Sequence, residues 1–220
     1  MSEPTKLTVY GVGTSRALRA HWAMAELGLP YRTEQIQSRS GQTQTPAYTQ
    51  LDPRQKIPVL QDDDFILSES SAIITYLAET YGTPDNQLVP TDPRQRARYN
   101  EWVSFICMEL DATSLYVLRR HEGLPQIYGE APVANQAARA YFTRMIEAAA
   151  VRFDENCPYL LGERFTGADM LMMTILGWAK NLEPPIPLPA VFEVLHDRIA
   201  ERPAYQSAVI ANTPEGPRAP

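Results

Sequence analysis

Cysteine is almost missing from this sequence: Cys107 and Cys157 are the two among 220 residues. Neither belongs to a C-x-x-C pair, so neither a disulfide framework nor a thiolate zinc site is supported, and no metal is expected. No run of Lys or Arg occurs and the formal net charge is −6. That leaves no footprint for a phosphate backbone or an anionic membrane surface, and nucleic acid is not an expected partner. No window approaches the ~20 apolar residues of a membrane span, and the start, MSEPTKLTVYG, has neither the basic segment nor the long apolar run of a secretory leader. Together these absences predict a soluble, cytoplasmic protein with reduced cysteines. One domain usually takes roughly 100–200 residues, so two compact units are expected.

What is present changes character partway along. From Lys6 to Gly82 short strand and helix patterns alternate, whereas from Pro93 onward the periodicity is helical only. That order indicates an α/β unit followed by an all-α one. Residues 7–10 read as a strand, 16–27 as a helix with Ser15 as N-cap and Gly28 as its stop, and 31–36 as a second strand parallel to the first. Residues 37–55, rich in Gln, Ser, Thr and Pro, read as irregular. Val59-Leu60 and Phe65-Ile-Leu67 flank Gln61-Asp-Asp-Asp64 as a hairpin without its usual glycine, and 70–81 is a helix. The polar, Pro-containing residues 83–92 read as a linker, which gives an N-terminal domain over 1–82 and a helical domain over 93–220.

In the second domain Tyr99, Trp102, Val103, Ile106 and Leu110 form the buried stripe of a long helix that exposes Arg96, Glu101 and Glu109. A further helix covers about 133–155. The segment ADMLMMTILGWAK, 168–180, is apolar nearly all round and belongs at the centre of a bundle. Before it, Thr166-Gly-Ala-Asp169 has capping-box spacing, and an ordinary cap of this kind contributes about 0.5–2 kcal/mol. Shorter helices over 190–201 and 204–211 precede a Pro-rich tail expected to be loose.

Residues 56–73, KIPVLQDDDFILSESSAI, contain a contradiction. Proline cannot donate to a sheet ladder and is normally kept out of strand interiors, yet Pro58 interrupts the strand 57–60. It is tolerated there if the Ile57–Pro58 bond is cis and turns the backbone out of the ladder. The N–H and C=O of Ile57 are then available to an extended, peptide-like ligand. Beyond the hairpin, Ser68-Glu69-Ser70-Ser71 crowds hydroxyls and a carboxylate at a helix start. Such a start favours a bound carboxylate, and Glu69 beside it supplies the opposite charge. A ligand with an α-amino and an α-carboxylate group at one end, and a peptide amide further along, satisfies all of these; a γ-glutamyl peptide is one.

On these residues the sequence resembles the cytosolic glutathione transferase family. Lys56-Ile57-Pro58-Val59-Leu60 is similar to its cis-proline strand, Glu69-Ser70 to its γ-glutamate-binding pair, and Thr166-Gly-Ala-Asp169 to the capping box of its central C-terminal helix. Gly28-Leu-Pro-Tyr31 is similar to the end of its first helix and the start of its second strand. The resemblance runs over essentially the whole chain. It implies a thioredoxin-like N-terminal domain, an all-α C-terminal helical bundle, a homodimer, and glutathione as cosubstrate bound by Lys56, Ile57, Pro58, Glu69 and Ser70. Lys56 has two readings, a contact to the glycyl carboxylate or a solvated edge lysine.

The chemistry needs a donor that lowers the glutathione thiol's pKa, because the thiolate is the nucleophile. Three hydroxyls compete in Tyr10-Gly-Val-Gly-Thr-Ser15. Ser15, five residues after Tyr10 and four before Arg19, resembles the activating residue of the serine-type branches and is the first choice. Tyr10 matches the tyrosine-type position and is second; Thr14, reached by counting back from Gly28, is third. The run Ser15-Arg-Ala-Leu-Arg-Ala-His-Trp22 looks closer to bacterial and fungal members. Ser15 also has the competing role of a plain N-cap. The expected reaction is transfer of the thiolate to a small electrophile or reduction of a peroxide. Alternatives are a glutathione-dependent disulfide reductase and a non-catalytic interaction module of the same fold.

Overall fold

The computed structural model describes residues 6–216; the end of the tail expected to be loose, 217–220, lies outside the described residues. Strand β1 (Leu7–Val12) carries apolar side chains toward both faces, with Leu7, Val9 and Val12 all buried. It therefore runs through the interior of a four-stranded mixed sheet of order β2-β1-β3-β4. Helix α1 (Ser15–Leu27) is the crossover that brings β2 (Arg32–Gln37) back parallel to β1, pairing Thr8 with Arg32 and Val9 with Thr33. A crossover rather than a tight turn is what parallel pairing requires. Gly28 stops α1 at φ +65°, with its N–H on the Ala25 carbonyl. Strands β3 (Val59–Asp62) and β4 (Phe65–Ser68) form the antiparallel hairpin, and Asp63 takes the left-handed turn position, φ +52°, that a glycine would usually fill; Asp is one of the few side chains that tolerates it.

Residues 37–55 are not wholly irregular. Pro46–Leu51 forms a short helix, α2, capped by Thr45, whose hydroxyl accepts from Tyr48 N–H. Pro46 suits its first turn, where an N–H would go unpaired anyway. Helix α3 (Ser70–Tyr81) closes the sheet region and packs against α1.

The chain divides into two compact units. The first takes the residues up to Val89 together with those from Ala200 on, and the second runs from Pro90 to Ile199. The return of the C-terminal residues differs from the expected span of 93–220. Its cause is helix α10 (Pro203–Ala211), which packs on α1. Arg202 makes a two-pronged ion pair with Glu26, at 2.8 and 2.7 Å, and the Tyr205 ring meets Trp22 edge-on at 4.8 Å.

At the far end of β3, the buried Asp62 accepts hydrogen bonds from the Tyr76 hydroxyl (2.7 Å) and the Tyr81 hydroxyl and faces the Lys6 ammonium at 3.4 Å. Burial pushes its carboxyl upward, but Tyr81, Tyr76 and Lys6 together hold it below the ordinary carboxylate range. A depressed carboxylate contributes stability that is present above its unfolded pKa and lost as pH falls through the folded one. Asp62→Asn is therefore expected to cost about 1–2 kcal/mol at pH 7, the excess of charged over neutral hydrogen bonds. In urea unfolding this gap should narrow as pH falls below the ordinary carboxylate range toward the depressed folded-state value; a gap unchanged throughout acid titration would mean that the charge is not what counts.

The second unit is helical. α4 (Pro93–Phe105) is capped by Asp92 and continues without a break through a π-helical stretch, Ile106–Leu115, into α5 (Tyr116–His121). In the π stretch Thr113 and Ser114 each donate a hydroxyl to the carbonyl five residues earlier. The expected long helix is thus present with a wider middle. Tyr99, Trp102, Ile106 and Leu110 are buried, whereas Val103, Arg96 and Glu109 are only half-buried. After the short α6 (Pro125–Tyr128) come α7 (Pro132–Arg152), α8 (Gly167–Lys180) and α9 (Ala190–Ala200). α8 is buried from Gly167 through Leu176, as expected of a helix apolar on every side.

Candidate active site

The loop after β1 turns at Gly13 and ends at Thr14, not Ser15, as the N-cap of α1. Thr14 has the extended backbone a cap requires, φ −127° and ψ 154°, and its Oγ1 accepts from Ala17 N–H at 3.0 Å. Ser15 is the first helical residue, so the expected capping role passes to its neighbour. The half-buried Ser15 hydroxyl makes no hydrogen bond among the described residues and stands at the positive end of the helix. Tyr10 is engaged elsewhere. Its hydroxyl donates to Gln61 Oε1 at 2.7 Å, its ring meets Tyr48 edge-on, and burial, with Glu34 nearby, pushes its pKa up.

The C-terminal segment holds this loop from the other side. Gly13 N–H donates to both the carbonyl (2.8 Å) and Oδ1 (3.1 Å) of Asn212, and Asn212 Nδ2 donates to the Thr14 carbonyl at 3.2 Å. At a separation of almost the whole chain, this contact has no sequence signal.

The Ile57–Pro58 bond is cis. The N–H and C=O of Ile57 meet no hydrogen-bonding partner among the described residues. The turn leading to it is fastened by Asp52, which is buried: Oδ1 accepts from Arg54 N–H and Nε, and Oδ2 from Lys56 N–H at 3.2 Å. Tyr48 donates its hydroxyl to the Lys56 carbonyl at 2.6 Å. The Lys56 side chain is exposed, without a partner among the described residues.

At the start of α3, Glu69 adopts φ +71°, ψ 112°, a conformation outside the ordinary allowed regions for a non-glycine residue. Arg54 holds it there, bonding Glu69 Oε1 at 2.7 Å and also Ser68 Oγ. Glu69 supplies no side-chain cap, so the first N–H groups of α3 stay available to a ligand. Ser70, 5% exposed, opens the helix, and its Oγ accepts from the buried Arg19 Nη1 at 3.3 Å. A carboxylate here meets a hydroxyl donor, helix N–H groups and the field of a buried guanidinium. Strain at a non-glycine residue is retained where the surroundings enforce it, and here it presents an acidic side chain beside an anion site.

These groups fit glutathione. An uncapped helix start with Ser70 suits a carboxylate and the Glu69 side chain an ammonium. The open Ile57 backbone suits a peptide amide, and the exposed Lys56 ammonium suits either a second carboxylate or solvent. Sequence reasoning missed Tyr48, Asp52, Arg54 and Asn212. Only Asp52 had a local signal, an Asp-Pro turn whose side chain accepts from residues two and four further on.

A four-stranded mixed sheet with helices, an open cis-proline strand and an Glu-Ser helix start define the thioredoxin-like glutathione-binding class. Residues 5–79 match the family description "Glutathione S-transferase, N-terminal domain" and residues 105–203 match "Glutathione S-transferase, C-terminal domain". The chain is similar to glutathione S-transferase theta-1 of Bos taurus, 32% identical over 166 residues, covering 74% of this chain and 68% of that protein. It is similar to the human theta-1 protein at 30% identity over the same shares. Its fold matches the theta class glutathione S-transferase of Xanthomonas axonopodis pv. citri, solved with glutathione bound, with TM-score 0.78, 28% identity and coverage of 96% of this chain and 100% of that one. The chain belongs to the glutathione S-transferase family.

Proposed function

We propose that this transferase attaches the sulfur of glutathione to a small electrophile, with the Ser15 hydroxyl donating to the thiolate. The observation that carries the assignment is the Ser15 hydroxyl at the start of α1, which has no hydrogen-bonding partner among the described residues because Thr14, not Ser15, caps the helix. A free cysteine-like thiol has a pKa near 8.5, and a drop of ~2 units corresponds to ~2.7 kcal/mol. One hydrogen bond to a charged acceptor contributes about 1.5–3 kcal/mol, and the helix N-terminus adds about 0.3–1 kcal/mol. Ser15 with α1 is therefore sufficient in magnitude. The thiolate sulfur attacks the electrophilic carbon, and a leaving group departs with the electron pair of its bond. The reading extends to binding by Lys56, Ile57, Pro58, Glu69 and Ser70, and to a homodimer acting in the cytoplasm. Family membership supports the homodimer and the cytoplasm; among the described residues no helix is long and apolar enough to cross a membrane.

Titration calorimetry with glutathione, paired with a conjugation assay on a chloronitroarene, tests the reading. Saturable heat and thioether formation are expected. No heat at millimolar glutathione would leave the non-catalytic module as the better account.

A further inference from the structure

His21 lies on α1, the helix that begins with Ser15, and its ring is fully buried. Nε2 stands 2.9 Å from the Gly11 carbonyl oxygen and Nδ1 3.0 Å from the Tyr31 hydroxyl. A carbonyl oxygen only accepts, so Nε2 carries the ring proton, and the bare Nδ1 accepts from Tyr31 O–H. Burial also holds the imidazole pKa below its ordinary value, which keeps this neutral tautomer in place. An aliphatic side chain would fill such a site without the desolvation cost of two ring nitrogens. The imidazole adds a bond between α1 and the end of β1.

What it bonds gives that link a direction. Gly11 has φ +126°, and a Cβ placed there would stand 2.6 Å from Ile57 Cβ. Gly11 is therefore the point where β1 presses against the residue before cis-Pro58. From Ser15 the connection runs along α1 to His21, through Nε2–H to Gly11, and across to Ile57.

We propose that His21 is a positioning residue for the thiol chemistry: its Nε2–H bond to Gly11 sets the start of α1, and with it the Ser15 hydroxyl, relative to the Ile57 strand. The proposal rests on the Ser15 reading and deepens it. Two amide substitutions separate the bond from the bulk. In His21→Gln the side-chain nitrogen reaches as far as Nε2 and still donates to Gly11. In His21→Asn the amide ends at the position of Nδ1 and serves only Tyr31.

The pKa of glutathione's thiol in the complex, followed by thiolate ultraviolet absorbance, is expected to rise by about one unit in His21→Asn, a tenfold loss of thiolate at neutral pH, and to stay within ~0.3 units of the parent in His21→Gln. Thermal midpoints should fall in both variants, because both disturb the core. If the two variants shift the thiol equally, or neither shifts it, His21 only packs and the proposal is overturned. Ser15→Ala run in parallel keeps the two ideas apart. An unmoved thiol there sinks the Ser15 assignment, whereas a moved one with matching His21 variants sinks this proposal alone. The wild-type protein offers a check that needs no substitution. It contains three histidines, and nitrogen-15 spectra of the histidine-labelled protein should show His21 protonated at Nε2. Protonation at Nδ1 would break the link to Gly11 and overturn the proposal even if neither variant folds.

Discussion

Ser15→Ala is expected to leave glutathione affinity within a few fold while removing most of the conjugation rate at neutral pH. Affinity should persist, because the proposed binding groups are those of Ile57, Glu69 and Ser70. What disappears is one hydrogen bond to a charged acceptor, about 1.5–3 kcal/mol, which corresponds to a rise of one or two units in the bound thiol's pKa. Turnover should fall by roughly ten- to a hundredfold where thiolate supply limits the rate. Thr14 provides a check on the fold: because it, not Ser15, caps α1, Ser15→Ala should leave the thermal midpoint nearly unchanged. Tyr10→Phe in parallel should move neither thiol pKa nor rate, since the tyrosine hydroxyl is already donated to Gln61. If Tyr10→Phe abolishes the thiolate absorbance and Ser15→Ala preserves it, the activating role belongs to Tyr10.

The parts of this site that could be read from sequence are those whose chemistry is local. A proline inside a strand, a Glu-Ser pair at a helix start and a Thr-x-x-Asp spacing each state a backbone requirement within a few residues. The N-cap of α1 was displaced by one residue because Thr14 and Ser15 are adjacent and equally capable of capping; only the backbone angles decide which of them is extended. Helix α2 left no periodic signal, being too short to show a face. It is fastened by the Thr45 cap and by Tyr48, which packs on Ile57 and Val59 in the core.

Contacts between distant segments were illegible. Arg54 to Glu69, and Asn212 to the loop at Gly13 and Thr14, join residues whose intervening sequence says nothing of the meeting. The same holds for the return of α10 to the first unit: Glu26 on α1 and Arg202, the residue just before α10, look like ordinary charged residues until they pair. The consequence is functional. The segment from Gly11 to Thr14, which leads into the proposed thiol-activating hydroxyl of Ser15, is bonded by His21 at Gly11 and by Asn212 at Gly13 and Thr14, and neither belongs to the ligand-binding pattern.

Asp169→Ala is expected to be the most destabilising of these substitutions, and to exceed the cost of an exposed cap. The carboxylate is completely buried at the start of α8. Oδ1 accepts from Leu160 N–H at 2.8 Å, and Oδ2 from the N–H and hydroxyl of Thr166, each at 2.8 Å. It thus ties the preceding loop to the central helix as well as closing the capping box. Burial pushes its pKa up to about 6 against the pull of those donors, so at pH 7 it is ionised and the bonds are charge-assisted. Alanine leaves the donors unpaired in the interior at ~1–3 kcal/mol each before any relaxation. With three neutral donors stranded and part of that loss recovered by relaxation, a net loss of about 3–5 kcal/mol is expected. For a chain of this size that is a drop in thermal midpoint on the order of 10 °C. Calorimetric unfolding at pH 7 measures it, and at a temperature where the variant is folded, glutathione affinity should match the parent, because the proposed glutathione-binding residues lie in the other unit. A loss below about 2 kcal/mol would reduce Asp169 to an ordinary cap, and a large fall in affinity at unchanged stability would give it a role at the glutathione site that none of its contacts explains.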